Sequence, residues 1–317
     1  MASGSELSVV LVNHNGAGCL PAALAALAAG TNEPRVEYIV VDSGSTDGSW
    51  KGVEGARVLR WEENIGFCAG CNRGAEAAAG RLLAFVNFDG RVEPGWDAPL
   101  RTLLDDEPGV AVATGLLVSP DGATLEAAGL EIAPNTATYG RLEGLPRDAA
   151  PHGPIDVTAA SGARMMVRRA DFLALGGFYE PLFMYGEEAD YCLRAHGRVV
   201  LHPGAAIRHE TGHAAGPARS SLRLYHPARN RLVNAARHLP PLAMARAVAA
   251  SAAFDLLTLA QVRRADAVRA VARGWWEGLR AMRQERAARA ASERRGAARR
   301  LVSLREAIAQ QKRLGRA

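Results

Sequence analysis

The chain has 317 residues, 48% of them hydrophobic, which indicates a soluble globular protein with room for one large or two ordinary domains. Its four cysteines and the lack of a signal sequence fit a reducing compartment rather than a secreted, disulfide-bonded protein. We therefore expect a cytoplasmic location, with the inner face of a membrane as the second option.

Most of the positive charge lies at the end of the chain. From Arg263 to Ala317 there are 15 Arg and one Lys against five acidic residues, a net charge of +11. Because the whole chain carries +5, residues 1–262 carry −6. This distribution argues against a nucleic-acid-binding core. It predicts instead a basic tail that contacts an anionic membrane or a partner protein, with a solvated helix as the alternative.

Apolar segments near the start of the chain end in polar residues. Residues 7–12 read as a buried strand that ends at Asn13, residues 21–29 as a helix, and residues 36–41 as a second strand that ends at Asp42. Strand, helix and strand in this order predict a right-handed βαβ unit in a parallel sheet. Residues 57–60 predict a short further strand.

The segment 64–74 is rich in small residues and leads into a predicted helix at 75–79. Such a loop can approach a ligand closely, but it has neither a Walker spacing nor the dinucleotide-binding glycine pattern. Cys68 and Cys71 have a spacing that occurs in redox and zinc sites. No second pair completes a zinc set, and we interpret both as small buried packing residues.

Residues 82–86 are five consecutive apolar residues and predict a strand buried on both faces. The strand ends in Asn87 and Asp89, at the edge of the sheet where open α/β proteins bind ligands. Asp89 could hold a Mg²⁺ or Mn²⁺ ion against a phosphate. The alternative is an Asp that only begins a turn.

Three acids lie within four residues at Glu187, Glu188 and Asp190, directly after the apolar residues 183–185. Their mutual repulsion should raise at least one pKa, which suits a general base. The alternative is an exposed helix start that places acids at the positive end of the dipole.

These motifs together resemble glycosyltransferase family 2, whose nucleotide-sugar-binding α/β fold is called GT-A. The matching pieces occur in family order over about residues 7–235. They are Val12 to Asn15, Val41 to Ser49, Asn64 to Phe67, Asn72 to Gly74, Asn87 to Asp89, Gly176 to Phe178, Phe183 to Arg194, Pro203 to Ala205, and His209. Phe88 replaces the family's usual proline, and Glu188 stands where the family commonly has its catalytic Asp.

The resemblance implies a role for each matching residue. Glu188, with Glu187 and Asp190 beside it, would supply the catalytic base, and Asp89 with His209 would hold the divalent cation. The nucleotide-sugar donor, a UDP- or dTDP-sugar, would be bound by Val12, His14, Asn15, Asp42, Ser43, Asn72 and Asn87. Transfer would invert the anomeric carbon by a single displacement.

The remaining chain is less regular. Residues 115–160 predict acceptor-side loops, residues 161–167 a strand that returns to the site, and residues 198–201 a strand before a turn at Pro203. Residues 244–261 are apolar, but Arg246 and Asp255 interrupt them, so we expect no membrane-spanning helix there. From Arg263 the pattern of Arg, Ala, Trp275 and Trp276 predicts a helix.

We therefore predict an α/β protein with a GT-A domain at 1–235, a mostly parallel central sheet flanked by helices, and a basic helical extension at 236–317. The predicted function is transfer of a sugar, rhamnose or a similar one, to a glycan or lipid-linked acceptor in cell-wall or polysaccharide biosynthesis. Two alternatives are a nucleotidyltransferase and a catalytically silent nucleotide- or carbohydrate-binding module.

Overall fold

A twisted mixed sheet forms the centre of the protein in a computed structural model, which describes residues 5–162, 164–209 and 220–292. The strand order is β10-β12-β6-β11-β4-β1-β2-β3, with β5 paired to β12 and β7 paired to β6. The strands β3, β2, β1 and β4 are parallel, and β11 lies antiparallel between β4 and β6. The predicted GT-A-like architecture of a central, largely parallel sheet with flanking helices is confirmed.

The strands are β1 (Leu7–Asn13), β2 (Val36–Ser43), β3 (Arg57–Trp61), β4 (Leu82–Val86), β5 (Gly90–Val92), β6 (Val110–Val118), β7 (Leu125–Ala128), β8 (Leu130–Ile132), β9 (Thr138–Gly140), β10 (Ile155–Val157), β11 (Arg164–Arg168) and β12 (Arg198–His209). The helices are α1 (Leu20–Gly30), α2 (Gly66–Ala77), α3 (Asp97–Asp106), α4 (Arg169–Ala174), α5 (Glu187–Arg194), α6 (Ser221–His238), α7 (Pro241–Val262) and α8 (Ala265–Ser292). Apolar layers cover both faces of the sheet, with α1 and α3 on one face and α2, α4 and α5 on the other.

The glycine-rich segment is a helix rather than a loop. Helix α2 begins at Gly66, nine residues before the predicted helix at Ala75. A Cβ added to Gly70 would lie 2.7 Å from a methyl carbon of Val12, and one added to Gly74 would lie 2.3 Å from a methyl carbon of Val10. The small residues therefore let α2 pack directly on β1. Both cysteines of this helix are buried and free, as predicted.

Residues 115–160 contain regular structure, contrary to the prediction of loops. β6 continues to Val118, and the short strands β7 to β10 follow it. These strands are only three or four residues long, so they carry too little periodicity to be recognised. The predicted turn at Pro203 is likewise an irregularity inside β12, where the pairing with β6 shifts between Leu201 and Ala206.

Helices α6, α7 and α8 form a three-helix unit. α6 and α8 run parallel, because Ser221 contacts Asp266 near their starts and Arg237 contacts Glu285 near their ends. α6 and α8 pack directly on each other, and α7, which connects them in the chain, packs on α6 through Ala247 and Asp255. The predicted helix after Arg263 is confirmed for 265–292, and the rest of the basic tail lies outside the described residues.

The predicted domain boundary at residue 235 stays a prediction. It falls inside α6, whose side chains contact both the GT-A-like part and α8. The expectation of no membrane-spanning helix at residues 244–261 also stays a prediction, although α7 is, among the described helices, the one that is long and apolar enough to cross a membrane by length and composition. Asp255 does not interrupt its outer surface, since it is buried against Arg231 of α6.

Candidate active site

The parallel strands β1, β2 and β4 end at one edge of the sheet and bring the first motifs together. Asn13 of β1 lies beside Asp42 of β2 in the strand register. A cavity of about 210 Å³ opens here. Four of the predicted donor-binding residues line it, namely Val12, His14, Ser43 and Asn87. We refer to this space as the donor cavity.

Two further predicted donor-binding residues shape the loop behind this cavity. Asp42 is fully buried and accepts a 2.8 Å hydrogen bond from Nδ2 of Asn13. Asn15 adopts a left-handed backbone conformation, with φ of 54°, and its carbonyl oxygen Oδ1 accepts a 2.8 Å bond from the backbone N–H of Thr46. His14 donates from Nδ1 to the backbone oxygen of Ser43, 2.7 Å away. The loops after β1 and β2 are therefore held together as one wall.

Asn72 has a structural position that the sequence did not indicate. Its side-chain amide donates to the backbone oxygen of Phe178 and accepts from the backbone N–H of Phe178, both at 2.9 Å. A Cβ on Gly177 would lie 2.3 Å from Oδ1 of Asn72, so the two segments fit closely. Asn72 thus fastens α2 to the segment before α5 and does not line the donor cavity.

Asp89 and His209 lie together, as the metal-site prediction requires. Nε2 of His209 is 3.7 Å from Oδ2 of Asp89, and Asp89 is buried. Nδ1 of His209 is 2.8 Å from a carboxylate oxygen of Glu126 on β7. Burial opposes protonation of His209, but bonds to Asp89 and Glu126 outweigh it and raise its pKa to about 9.

A carboxylate oxygen and an imidazole nitrogen suit Mn²⁺ or Mg²⁺. Among the described residues no group of three or more His, Cys, Asp or Glu side chains has metal-binding geometry. Two protein ligands fit a cation whose other positions are taken by substrate phosphates and water. Glu126, which the sequence did not reveal, occupies the position from which a carboxylate orients a metal-binding His.

The acidic cluster lies at the start of α5 and is buried. Gly186 precedes the helix with φ of 85°, a conformation that favours glycine. Glu188 accepts hydrogen bonds from the hydroxyl of Thr138, at 2.6 Å, and from the backbone N–H of Gly186, at 2.9 Å. The alternative of an exposed helix start is therefore wrong.

The three acids differ in their surroundings. Burial and the charge of Glu188 raise the pKa of Glu187 well above its usual value, and Oε2 of Glu187 has no hydrogen-bond partner among the described residues. Asp190 is fully buried and binds Arg194, Arg237 and His238. Its contacts fix α5 to α6. Glu188 lines a second cavity.

That cavity has a volume of about 380 Å³ and lies between α5, α6 and α7. The segment 183–186 separates it from the donor cavity: Phe183 and Met184 line the donor cavity, whereas Tyr185 and Gly186 line the second. Nδ2 of Asn230 lies within 2.9 Å of the backbone oxygens of Leu182, Met184 and Tyr185 and holds this wall in place. We refer to the second space as the helix cavity.

Tyr185 and Asn230 were missed by the sequence reasoning. Tyr185 has a left-handed backbone conformation, with φ of 64°, which is uncommon for an aromatic residue. Burial is the main cause of its raised pKa, and the charges of Glu187, Glu188 and Asp89 raise it further. Arg223 opposes this shift, so Asp89, the acidic cluster and Arg223 all act on this one side chain.

Comparison with known proteins identifies the family of this chain. The family model described as "Glycosyl transferase family 2" matches residues 8–173. The chain is 27% identical over 245 residues to the N-acetylglucosaminyl-diphospho-decaprenol L-rhamnosyltransferase of Mycobacterium tuberculosis, covering 66% of this chain and 78% of the relative.

Solved structures show the same fold. GalNAc-T7, crystallised with UDP, GalNAc and Mn²⁺, superposes with a TM-score of 0.61 at 17% identity, over 76% of this chain and 49% of that one. TarS of S. aureus in complex with UDP-GlcNAc gives a TM-score of 0.58 at 15% identity, over 87% of this chain and 81% of that one. The fold is GT-A, and the chain is a glycosyltransferase that belongs to family 2.

Proposed function

We propose that the protein is an inverting glycosyltransferase that moves a sugar from a UDP- or dTDP-sugar to a lipid-linked glycan acceptor. The observation that carries this proposal is the shared wall 183–186 between the donor cavity and the helix cavity. Two substrates bound on opposite sides of one thin wall can meet at its edge. The carboxylate of Glu188 faces the second of these spaces.

The donor cavity binds the nucleotide sugar through Val12, His14, Ser43 and Asn87, with Asp42 and Asn15 holding the loops behind them. Asp89 and His209 are the ligands of a divalent cation, and Glu126 orients the imidazole. Such a cation, when bound, offsets the negative charge that grows on the leaving diphosphate.

Glu188 takes the proton from the attacking acceptor hydroxyl. The freed oxygen forms a bond to the anomeric carbon as the bond from that carbon to the diphosphate oxygen breaks. The electron pair leaves with the nucleoside diphosphate, and attack from the opposite side inverts the anomeric centre. Glu187 is a poorer candidate, because it does not line the helix cavity.

The relative from Mycobacterium tuberculosis is named for transfer of L-rhamnose to N-acetylglucosaminyl-diphospho-decaprenol. We extend this chemistry to the present chain as a rhamnosyl or similar transfer within cell-wall or polysaccharide biosynthesis.

The three-helix unit suits a position at the inner face of a membrane. Leu242, Leu256 and Leu257 on the outer side of α7 are each at least 65% exposed. A spanning α7 would draw its neighbours α6 and α8, with their many Arg side chains, into the hydrocarbon. We therefore place α7 flat in the membrane surface, with the Arg residues of α8 and the tail against anionic lipids.

Two measurements test these proposals on the full chain. The first incubates it with a panel of nucleotide sugars, a lipid-linked acceptor and Mn²⁺, and follows release of the nucleoside diphosphate. A silent binding module would release none, and a nucleotidyltransferase would release pyrophosphate. The second compares binding to anionic vesicles of the wild type and Leu256→Glu/Leu257→Glu, where equal binding would contradict the membrane position.

A further inference from the structure

The helix cavity contains polar atoms that lack partners. Its lining includes Glu188 at one end, Arg223, Arg231 and Asn234 of α6, and Phe254 and Thr258 of α7. In the described part of the chain, Nε of Arg223, Nε of Arg231 and Oδ1 of Asn234 are buried without a hydrogen-bond partner. Each such atom costs about 1–3 kcal/mol when left unpaired. Three of them on one cavity indicate that the cavity is shaped for a polar ligand.

The charged side chains around the helix cavity indicate which chemical class of ligand it binds. Arg231 is only 6% exposed, and its Nη2 binds Asp255 at 2.5 Å. Asp255 in turn accepts a 2.7 Å bond from Nε1 of Trp275. Asp255 thus compensates the charge of Arg231 but leaves its Nε unused. Arg223 adds a second guanidinium on the same helix. The unpaired N–H groups require oxygen acceptors, which two guanidinium groups bind best as phosphate.

The far side of the helix cavity is apolar and leads to the surface of α7. Phe254 lines the cavity and is itself 43% exposed. Leu256 and Leu257 follow it on the exposed surface of the helix. A ligand that is polar at α6 and hydrocarbon at α7 matches this change of surface.

We infer that the helix cavity binds the diphosphate of a polyprenyl-diphosphate-linked acceptor, with Arg223 and Arg231 on the phosphoryl oxygens. Asn234 Oδ1 accepts from a hydroxyl of the sugar, and the hydrocarbon chain leaves along Phe254 toward the membrane. This inference rests on the proposed function for the role of Glu188. The nucleotide-sugar donor also carries a diphosphate. Arg223, however, lines the helix cavity, and its neighbour Leu222 is the residue that lines the donor cavity, so we assign Arg223 to the acceptor.

The test measures binding rather than transfer. Titration calorimetry of the full chain with farnesyl diphosphate in EDTA reports the helix cavity without help from a cation. We expect Arg223→Met to weaken this binding about 10- to 100-fold, as loss of a charge-assisted hydrogen bond predicts. Arg231→Lys, which keeps a charge beside Asp255, should weaken it in the same direction. Arg246→Met removes an exposed charge from α7 and should leave it unchanged.

Two further ligands separate the sources of phosphate. UDP with Mn²⁺ should bind equally to wild type, Arg223→Met and Arg231→Lys, and inorganic pyrophosphate should bind more weakly than farnesyl diphosphate. A matching loss of UDP affinity would assign the arginines to the donor and overturn the inference, as would unchanged farnesyl diphosphate binding. Farnesyl diphosphate binding without sugar transfer to any acceptor would contradict the proposed function alone.

Discussion

The donor cavity and the helix cavity share a wall but are built in different ways. The donor cavity is formed largely by loops at the ends of neighbouring parallel strands, where short motifs supply its polar groups. The helix cavity combines the segment 136–138, the start of α5 and the sides of α6 and α7. One site is thus set by strand order, and the other by helix packing.

The largest expected effect comes from the base. Glu188→Gln keeps the shape of the side chain and removes the charge that accepts a proton, so the transfer rate should fall about 100- to 10,000-fold. Donor affinity should change little, because the donor cavity lies across the wall. Steady-state rates at saturating donor measure this.

Thr138→Val is the control for Glu188→Gln, since it removes a hydrogen bond to Glu188 but leaves the carboxylate. Its rate should stay above that of Glu188→Gln. A Glu188→Gln enzyme that retains nearly full activity would assign the base to Glu187 or Asp190.

The next effect concerns stability on the acceptor side. Asp190→Ala leaves Arg237 and His238 without their buried partner and should lower the free energy of unfolding by about 3–5 kcal/mol. Burial alone would raise the pKa of Asp190, but His238, Arg194 and Arg237 together hold it well below its usual value.

Because the pKa of Asp190 is lowered by folding, its contribution is present above about pH 4 and is lost as the pH falls further. Urea denaturation at neutral and acid pH measures both effects. Asp171→Ala, whose side chain is 61% exposed in a 3.8 Å ion pair, is the control and should change stability little. A stable but inactive Asp190→Ala variant would show a catalytic role instead.

A smaller effect is expected on the donor side. Asp89→Ala should reduce Mn²⁺-dependent affinity for UDP by at least about 100-fold. Loss of a residue that binds the metal should lower metal affinity more than loss of a residue that only orients such a ligand. Calorimetry with UDP in Mn²⁺ and in EDTA measures this difference. Equal affinity of the wild type for UDP in Mn²⁺ and in EDTA would contradict the proposed role of the cation.

The smallest effect should come from Glu126, which contacts His209 rather than the cation site itself. Glu126→Gln should lower Mn²⁺ affinity about tenfold and leave UDP binding in EDTA unchanged. Glu143→Gln, a change of another acid close enough to be influenced by Glu126, is the control. Equal losses in the two variants would indicate a general effect of charge.

On the donor side, the family resemblance named Ser43 and Asn87, and the sequence also predicted the strands that end beside them. Because parallel strand ends meet at one edge of the sheet, the structure brings these two residues to one cavity. Glu126 could not be predicted, since it reaches His209 from 83 residues away through a four-residue strand. Asp190 also could not be separated from Glu188, because two of its partners, Arg237 and His238, are revealed only when α6 packs on α5. Asn72 was assigned to the donor because no pattern in the sequence shows which backbone an amide will bind.

The ion pairs of Asp190 also set the order in which parts of the chain can fold during translation. Asp190 can pair with Arg237 and His238 only after these two residues have been synthesised. Arg237 in turn pairs with Glu285 of α8, which lies nearly 100 residues after Asp190. Domains fold from the amino terminus as they are synthesised. The nascent chain can therefore complete its donor-binding half long before α5 is fastened in place. We therefore expect the enzyme to become active late in translation, once α8 has docked on α6.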